Sequence, residues 1–285
     1  MLALGGIAGN EMFASTAQRV NRGRIGIQLF SVRHDLPRDF EGTLKKLSDI
    51  GFSSVETYGF NGETFLDRNW KDVNNLVRGL GMRISGSHCS PGSGILPEDT
   101  NAPQWDTWKK IADKLREVGA TWAVQPSPPA PITTLWEIKR LADHFNRCGQ
   151  VCKERGVKFG FHNHPASLGR IERETILEFM INNTDPELVY FQLDIRHAIN
   201  GGGNILHLLR TYPKRIPMWH ASDYDSGIRE YTNLGKGNVP YRLMFNLPDA
   251  GGLEDLTVEQ ELTGDIFALC KIDFDFLKLF SWTGV

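Results

Sequence analysis

The feature that most constrains this chain is a repeated alternation. Short apolar runs with strand character are followed, time after time, by segments whose apolar residues fall at helical spacing. A strand, a helix and a further strand joined in this way lie parallel in one sheet, because the helix carries the chain back to the edge it started from. Residues 24–32 (RIGIQLFSV) read as the first strand and 40–50 as the first helix. Strand and helix pairs follow at 54–58 and 70–80, 83–89 and 105–118, and 121–125 and 135–154. The second half repeats the rhythm with strands at 158–164, 189–195, 216–223 and 256–261, and helices at 175–183, 205–212, 241–247 and 266–280. Gly51, Gly81, Gly119 and Gly156 each fall just past a helix, where a left-handed residue closes the last turn.

Eight such pairs predict a single closed (β/α)8 TIM barrel of class α/β, which needs roughly 250 residues; the chain has 285. The competing doubly wound sheet normally carries a glycine-rich turn after its first strand, and Gln28-Leu29-Phe30-Ser31-Val32-Arg33 has none. The expected organisation is a flexible tail over 1–23 and a barrel over 24–285. The tail combines a short apolar run, residues 2–8, with a small-residue stretch, 13–17, as in the remnant of a signal peptide, but lacks a basic start. The chain is therefore read as exported or periplasmic if that remnant is real, and as cytoplasmic otherwise.

Charge narrows the partners. A formal net charge of -2 gives no basic excess for nucleic acid, and no stretch approaches the roughly 20 apolar residues of a membrane span. A small neutral or polyhydroxylated ligand is the expected partner, with homo-oligomerisation left open. The four cysteines form no metal-binding pattern, and Cys148 and Cys152, four apart on a helix, suit packing better than a disulfide.

Barrel geometry makes the carboxyl ends of the strands converge on one mouth. Read in order, those ends carry Gln28, Glu56, His88, Gln125, His162-Asn163-His164, Asp194, His220 with Asp223, and Glu259 with Glu261. Taken singly, each has a structural explanation: a hydrogen-bonded histidine, a loop-capping Asp223, a salt-bridged Glu56. Together, four of the eight histidines on one rim point to chemistry. Histidine and carboxylate without cysteine form a donor set suited to one divalent ion such as Mn, Co, Zn or Fe. Strands five to eight can each deliver a ligand: His162, Asp194, His220 and Glu259. His164 alternates onto the same face as His162, and depth in the strand favours His162. Asp223 is the expected second partner of His220.

The same segments carry a family resemblance. Gly26 to Arg33, Val55-Glu56, Phe161-His162-Asn163-His164, Leu193-Asp194-Ile195, His220-Ala221-Ser222-Asp223, the Leu234-Gly235-Lys236-Gly237-Asn238 loop and Val258-Glu259-Gln260-Glu261 resemble the xylose isomerase-like barrels, the sugar phosphate isomerase/epimerase group. The resemblance implies a TIM barrel with one divalent metal held from strands five to eight. It also implies sugars, keto-sugars or inositol-like polyols as substrates. Two departures stand out. Histidine takes the strand-five position where many epimerases of the group have glutamate, and Ser222 replaces the lysine of a His-x-Lys-Asp motif, which leaves the mouth short of a cation.

The chemistry expected is proton abstraction beside a carbonyl, as in an isomerase, an epimerase or a keto-sugar lyase. Glu259 is the candidate base on one face, with His88, Glu56 or His164 for the other; Gln28, His164 and Asp223 are candidate substrate contacts. A metal-bound nitrogen has no lone pair left for base catalysis, so His162 cannot fill both roles, and one-sided chemistry is favoured. The rival classes are a metal-dependent phosphodiesterase akin to abasic-site endonucleases, disfavoured by charge, and an inactive sugar-binding barrel.

Overall fold

The computed structural model describes residues 24–89, 91–92, 94–130 and 132–282. The tail expected over 1–23, and with it the reading of localisation, lies outside the described residues. Eight parallel strands close into a barrel: β1 (Ile25–Gln28), β2 (Ser54–Tyr58), β3 (Arg83–His88), β4 (Trp122–Gln125), β5 (Lys158–His162), β6 (Val189–Asp194), β7 (Met218–Ala221) and β8 (Asp255–Val258). Each strand pairs with its sequence neighbours, and β8 closes on β1. The register sets Gln28 level with Glu56 and Asp194 level with His220. The (β/α)8 expectation is met.

Helices α1 (Phe40–Ile50), α2 (Trp70–Gly79), α3 (Asp106–Glu117), α4 (Leu135–Lys153) and α5 (Ile176–Asn182) pack outside the first five strands. Further on come α6 (Ile195–Asn200), α7 (Ile205–Thr211), α8 (Tyr241–Phe245) and α9 (Ile266–Leu277). Their starts follow from capping chemistry: Thr134 and Thr175 close capping boxes with Glu137 and Glu178, and Asp39 accepts from the Gly42 N–H. The four expected closing glycines all have positive φ, between 74° and 119°. All four cysteines are buried and unpaired. No described helix is long and apolar enough to cross a membrane.

The core divides at the barrel wall. Outward residues of the strands, such as Ile27, Val55, Phe161, Leu193 and Val258, join the helices in one large apolar cluster. Inside, Trp122, Val124 and Met218, with Tyr190, form a separate plug. Gly86 and Gly160 make that plug possible. A Cβ on Gly86 would stand 2.8 Å from the Trp122 Cβ and carbonyl oxygen, and one on Gly160 would stand 2.5 Å from the Met218 methyl. Above the plug the buried residues of alternate strand positions turn polar.

Several strands end earlier than the sequence suggests, and in two of them the terminal side chain caps the next turn or helix. β1 stops at Gln28, whose side chain accepts from the Phe30 N–H and opens a single 3-10 turn over Leu29–Val32. β6 stops at Asp194, which accepts from the His197 N–H and starts α6, a helix the periodicity does not reveal. The run at 216–223 divides into β7 and a hairpin, Asp223–Asp225 against Glu230–Thr232.

Candidate metal centre

Glu56 is the residue around which the mouth is organised. It is buried, and an ionised carboxylate only accepts hydrogen bonds. Gln28 Nε2 and Gln192 Nε2 both donate to it at 2.8 Å, and His220 Nε2 does so at 2.6 Å. This fixes the direction of the rest of the network. With its Nε2 turned to Glu56, Gln192 presents Oε1 to His88 Nε2 at 2.7 Å and to His162 Nδ1 at 3.0 Å. Both nitrogens must then carry protons. His162 is left with its lone pair on Nε2, and His220, donating through Nε2 to Glu56, turns Nδ1 towards Glu259 at 2.9 Å. One carboxylate, directly or through one amide, fixes a proton on a ring nitrogen of three histidines: Nε2 of His220 and His88, and Nδ1 of His162.

His162, Asp194, His220 and Glu259 are all buried, and each offers a ligand atom within 4.8 Å of the others. The fit to a cation rests on what is left over: Asp194 Oδ2 is buried with no hydrogen-bond partner, while Oδ1 is used by the His197 N–H. A buried acceptor without a donor is costly unless a cation or donor arrives. Two nitrogens and two carboxylate oxygens suit Mn, Co, Zn or Fe better than a soft metal.

The electrostatics are those of a cluster short of positive charge. Burial opposes charging His220, yet Glu56 and Glu259 keep it protonated up to about 10. Burial would raise Glu259, but His220 more than offsets this and holds it well below the usual carboxylate range. Burial pushes Asp194 up to about 7, against the pull of Arg196. Burial and the nearby His220 push His162 well below 6.5, so it is neutral, the form in which imidazole ligates.

Three expectations are placed differently. Glu56 is not a free base for the second face: its carboxylate is occupied by three donors, and burial is outweighed by His88 and His220, which keep it ionised. Asp223 does not partner His220 or line the mouth. Its carboxylate accepts the N–H groups of Tyr224, Gly235, Gly237 and Val239 and so anchors the 234–238 loop. The second partner of His220 is Glu56. The cation expected to be missing opposite Ser222 is supplied by Arg196: its Nη2 lies 2.8 Å from Glu261 and its Nε 3.9 Å from Asp194 Oδ2, with Tyr231 stacked 4.7 Å away. The small Ser222 contacts the Arg196 N–H through Oγ.

His88 is joined to the cluster, its ring 4.9 Å from that of His162. His164, half-buried, lies 4.9 Å from the His162 ring on the outer side. Gln125 is buried but turned to the Ser127 carbonyl, away from the cluster. Sequence reading missed Gln192, His197 and Arg196. Gln192 is legible after the fact, because it stands two residues before Asp194 and a strand has a period of two. His197 and Arg196 sit on α6, and only the early end of β6 brings them to the mouth.

The profile of one protein family, described as the xylose isomerase-like TIM barrel, matches residues 44–263. The chain belongs to this family. Among curated relatives of this barrel, an inosose dehydratase of Clostridium beijerinckii is 26% identical over 73% of the chain and 80% of its own length. An inosose dehydratase of Geobacillus kaustophilus is 28% identical over 85% of the chain and 84% of its own length. Among solved structures, a sugar phosphate isomerase/epimerase of Parabacteroides distasonis superimposes on the barrel with a TM-score of 0.79. It is 26% identical, with 89% of this chain and 97% of that one covered.

Proposed function

We propose that this barrel is a divalent-metal-dependent enzyme that removes a proton beside the carbonyl of a keto-sugar or keto-inositol and expels a β-hydroxyl as water. The observation that carries this reading is the buried quartet of His162, Asp194, His220 and Glu259, in which Asp194 Oδ2 has no hydrogen-bond donor. These four residues would hold the metal, which when bound would supply a Lewis acid for the substrate's carbonyl.

The chain's own groups supply the proton transfers. Glu259, kept ionised beside His220, takes the proton from the carbon next to the carbonyl. The electron pair released forms the new C=C bond as the C–O bond to the β-hydroxyl breaks. A histidine at the rim, His88 or His164, gives that hydroxyl the proton with which it departs as water. Elimination needs one base and one acid, whereas two-base epimerisation needs a second base on the opposite face; of the three candidates there, the Glu56 carboxylate is already committed to three donors, which leaves His88 or His164, used here as the acid. The names of the two curated relatives support the same direction.

The test is NMR of keto-inositols and keto-hexoses incubated in D2O with metal-stripped and metal-loaded protein. Turnover only with metal is expected, with loss of water to an enol-one that ketonises to a dione carrying deuterium at the carbon that lost the hydroxyl. Full activity after EDTA treatment ends this reading, and exchange with inversion but no loss of water makes the enzyme an epimerase.

A further inference from the structure

A cavity of about 480 Å³ lies against the outer side of His164, between α4, α5 and the loop after β4. We propose that it receives an apolar substituent carried by the substrate, so that the natural ligand is an aryl or alkyl glycoside of a keto-sugar rather than a bare sugar. The inference rests on the function proposed above and names its substrate class.

Three observations carry it. The first is position. Successive residues of β5 face opposite ways, so His162 serves the metal quartet while Phe161 forms part of the cavity wall. His164, just past the end of β5, lines the cavity with its ring 4.9 Å from that of His162, so one side chain borders both spaces. The second is chemistry. Leu141, Phe161, Ile176 and Met180 face the cavity, and sugar hydroxyls placed among them would give up their hydrogen bonds to water without replacement. The third is size. A dry cavity of about 150 Å³ accepts benzene, so this one has room for a phenyl ring and its linkage. A second cavity of about 250 Å³ shares Ala130, Ile132 and Leu141 with the first and is bordered further out by Trp136, Glu137 and Arg140, so the space continues outward to a mixed, partly charged rim.

The experiment compares a free keto-hexose with its methyl and phenyl glycosides on the metal-loaded protein. The expected kcat/KM for the phenyl glycoside exceeds that for the methyl glycoside by about 10-fold or more. Two variants fill the cavity from its rim, Ile176→Trp and Ala166→Phe, and neither side chain belongs to the quartet or its network. Each is expected to bring the phenyl glycoside down to the methyl level while leaving the methyl glycoside unchanged; a thermal melt confirms folding. Equal kcat/KM for the two glycosides in the parent protein overturns the proposal. So does a dimer that the filling variants dissociate with no change in selectivity, since a second copy would then own the cavity. If no sugar is turned over, saturation-transfer NMR with the phenyl glycoside separates the two claims. Transfer to the ring that Ile176→Trp abolishes supports the cavity while the chemistry fails, and no transfer overturns the cavity as well.

Discussion

Replacing Glu56 by glutamine preserves size and removes one acceptor oxygen, and the consequences travel along the hydrogen-bond network. Gln28 and His220 share Oε2, so the new amide oxygen is drawn to that side and its NH2 faces the Gln192 Nε2. Two donors cannot pair. Gln192 must turn over, presenting its NH2 to His88 and His162, and His162 must then accept through Nδ1. The displaced proton moves to Nε2, the nitrogen a metal needs. His220 also loses a charge-assisted bond, which is worth about 1.5–3 kcal/mol. Loss of such an outer partner costs about 10–100-fold in metal affinity. The assay is Mn²⁺ titration by calorimetry, with a melt of the metal-free protein as control. A folded Glu56→Gln variant that binds Mn²⁺ as tightly as the parent, with the His162 tautomer unchanged in ¹⁵N NMR, refutes the argument.

Asp194→Asn removes an oxygen of the proposed ligand set, so its loss in a Mn²⁺ titration is expected to exceed the roughly 100-fold of an outer-partner change; a smaller loss would place the cation elsewhere. Asp223→Ala leaves four backbone N–H groups of the 235–239 loop and hairpin without their acceptor, and a loss of about 2–4 kcal/mol in urea melts is expected with metal affinity unchanged. Burial, with Arg147 adding to it, brings His144 from 6.5 down to about 4, so the fold holds it neutral while the unfolded chain takes up a proton. Its contribution is complete above pH 6.5 and is lost as the pH falls towards 4, with a ceiling of about 3 kcal/mol. Urea melts at pH 7 and pH 4.5 should therefore show a smaller acid loss in His144→Phe than in the parent. Arg196→Met leaves Glu261 without its cation and should lower kcat/KM, with Arg196→Lys restoring part of it; equal rates in all three proteins would make Arg196 a packing residue.

By itself the sequence determined the eight-fold strand and helix rhythm, the helix-closing glycines and the polar strand ends, because period, capping and barrel convergence are local or purely geometric rules. His162, Asp194, His220 and Glu259 were legible for that reason: each stands within one residue of the end of an apolar strand. What only the tertiary structure decided is which polar groups face one another. Glu56 and His220 are separated by 164 residues yet lie 2.6 Å apart, and no local rule pairs them. The same holds for Asp223, whose four donors come mainly from a loop a dozen residues on, and for Arg196, brought to the mouth when Asp194 ends β6 and caps α6. Hydrogen bonds are directional and short, so their partners are fixed by the closure of the barrel rather than by order along the chain.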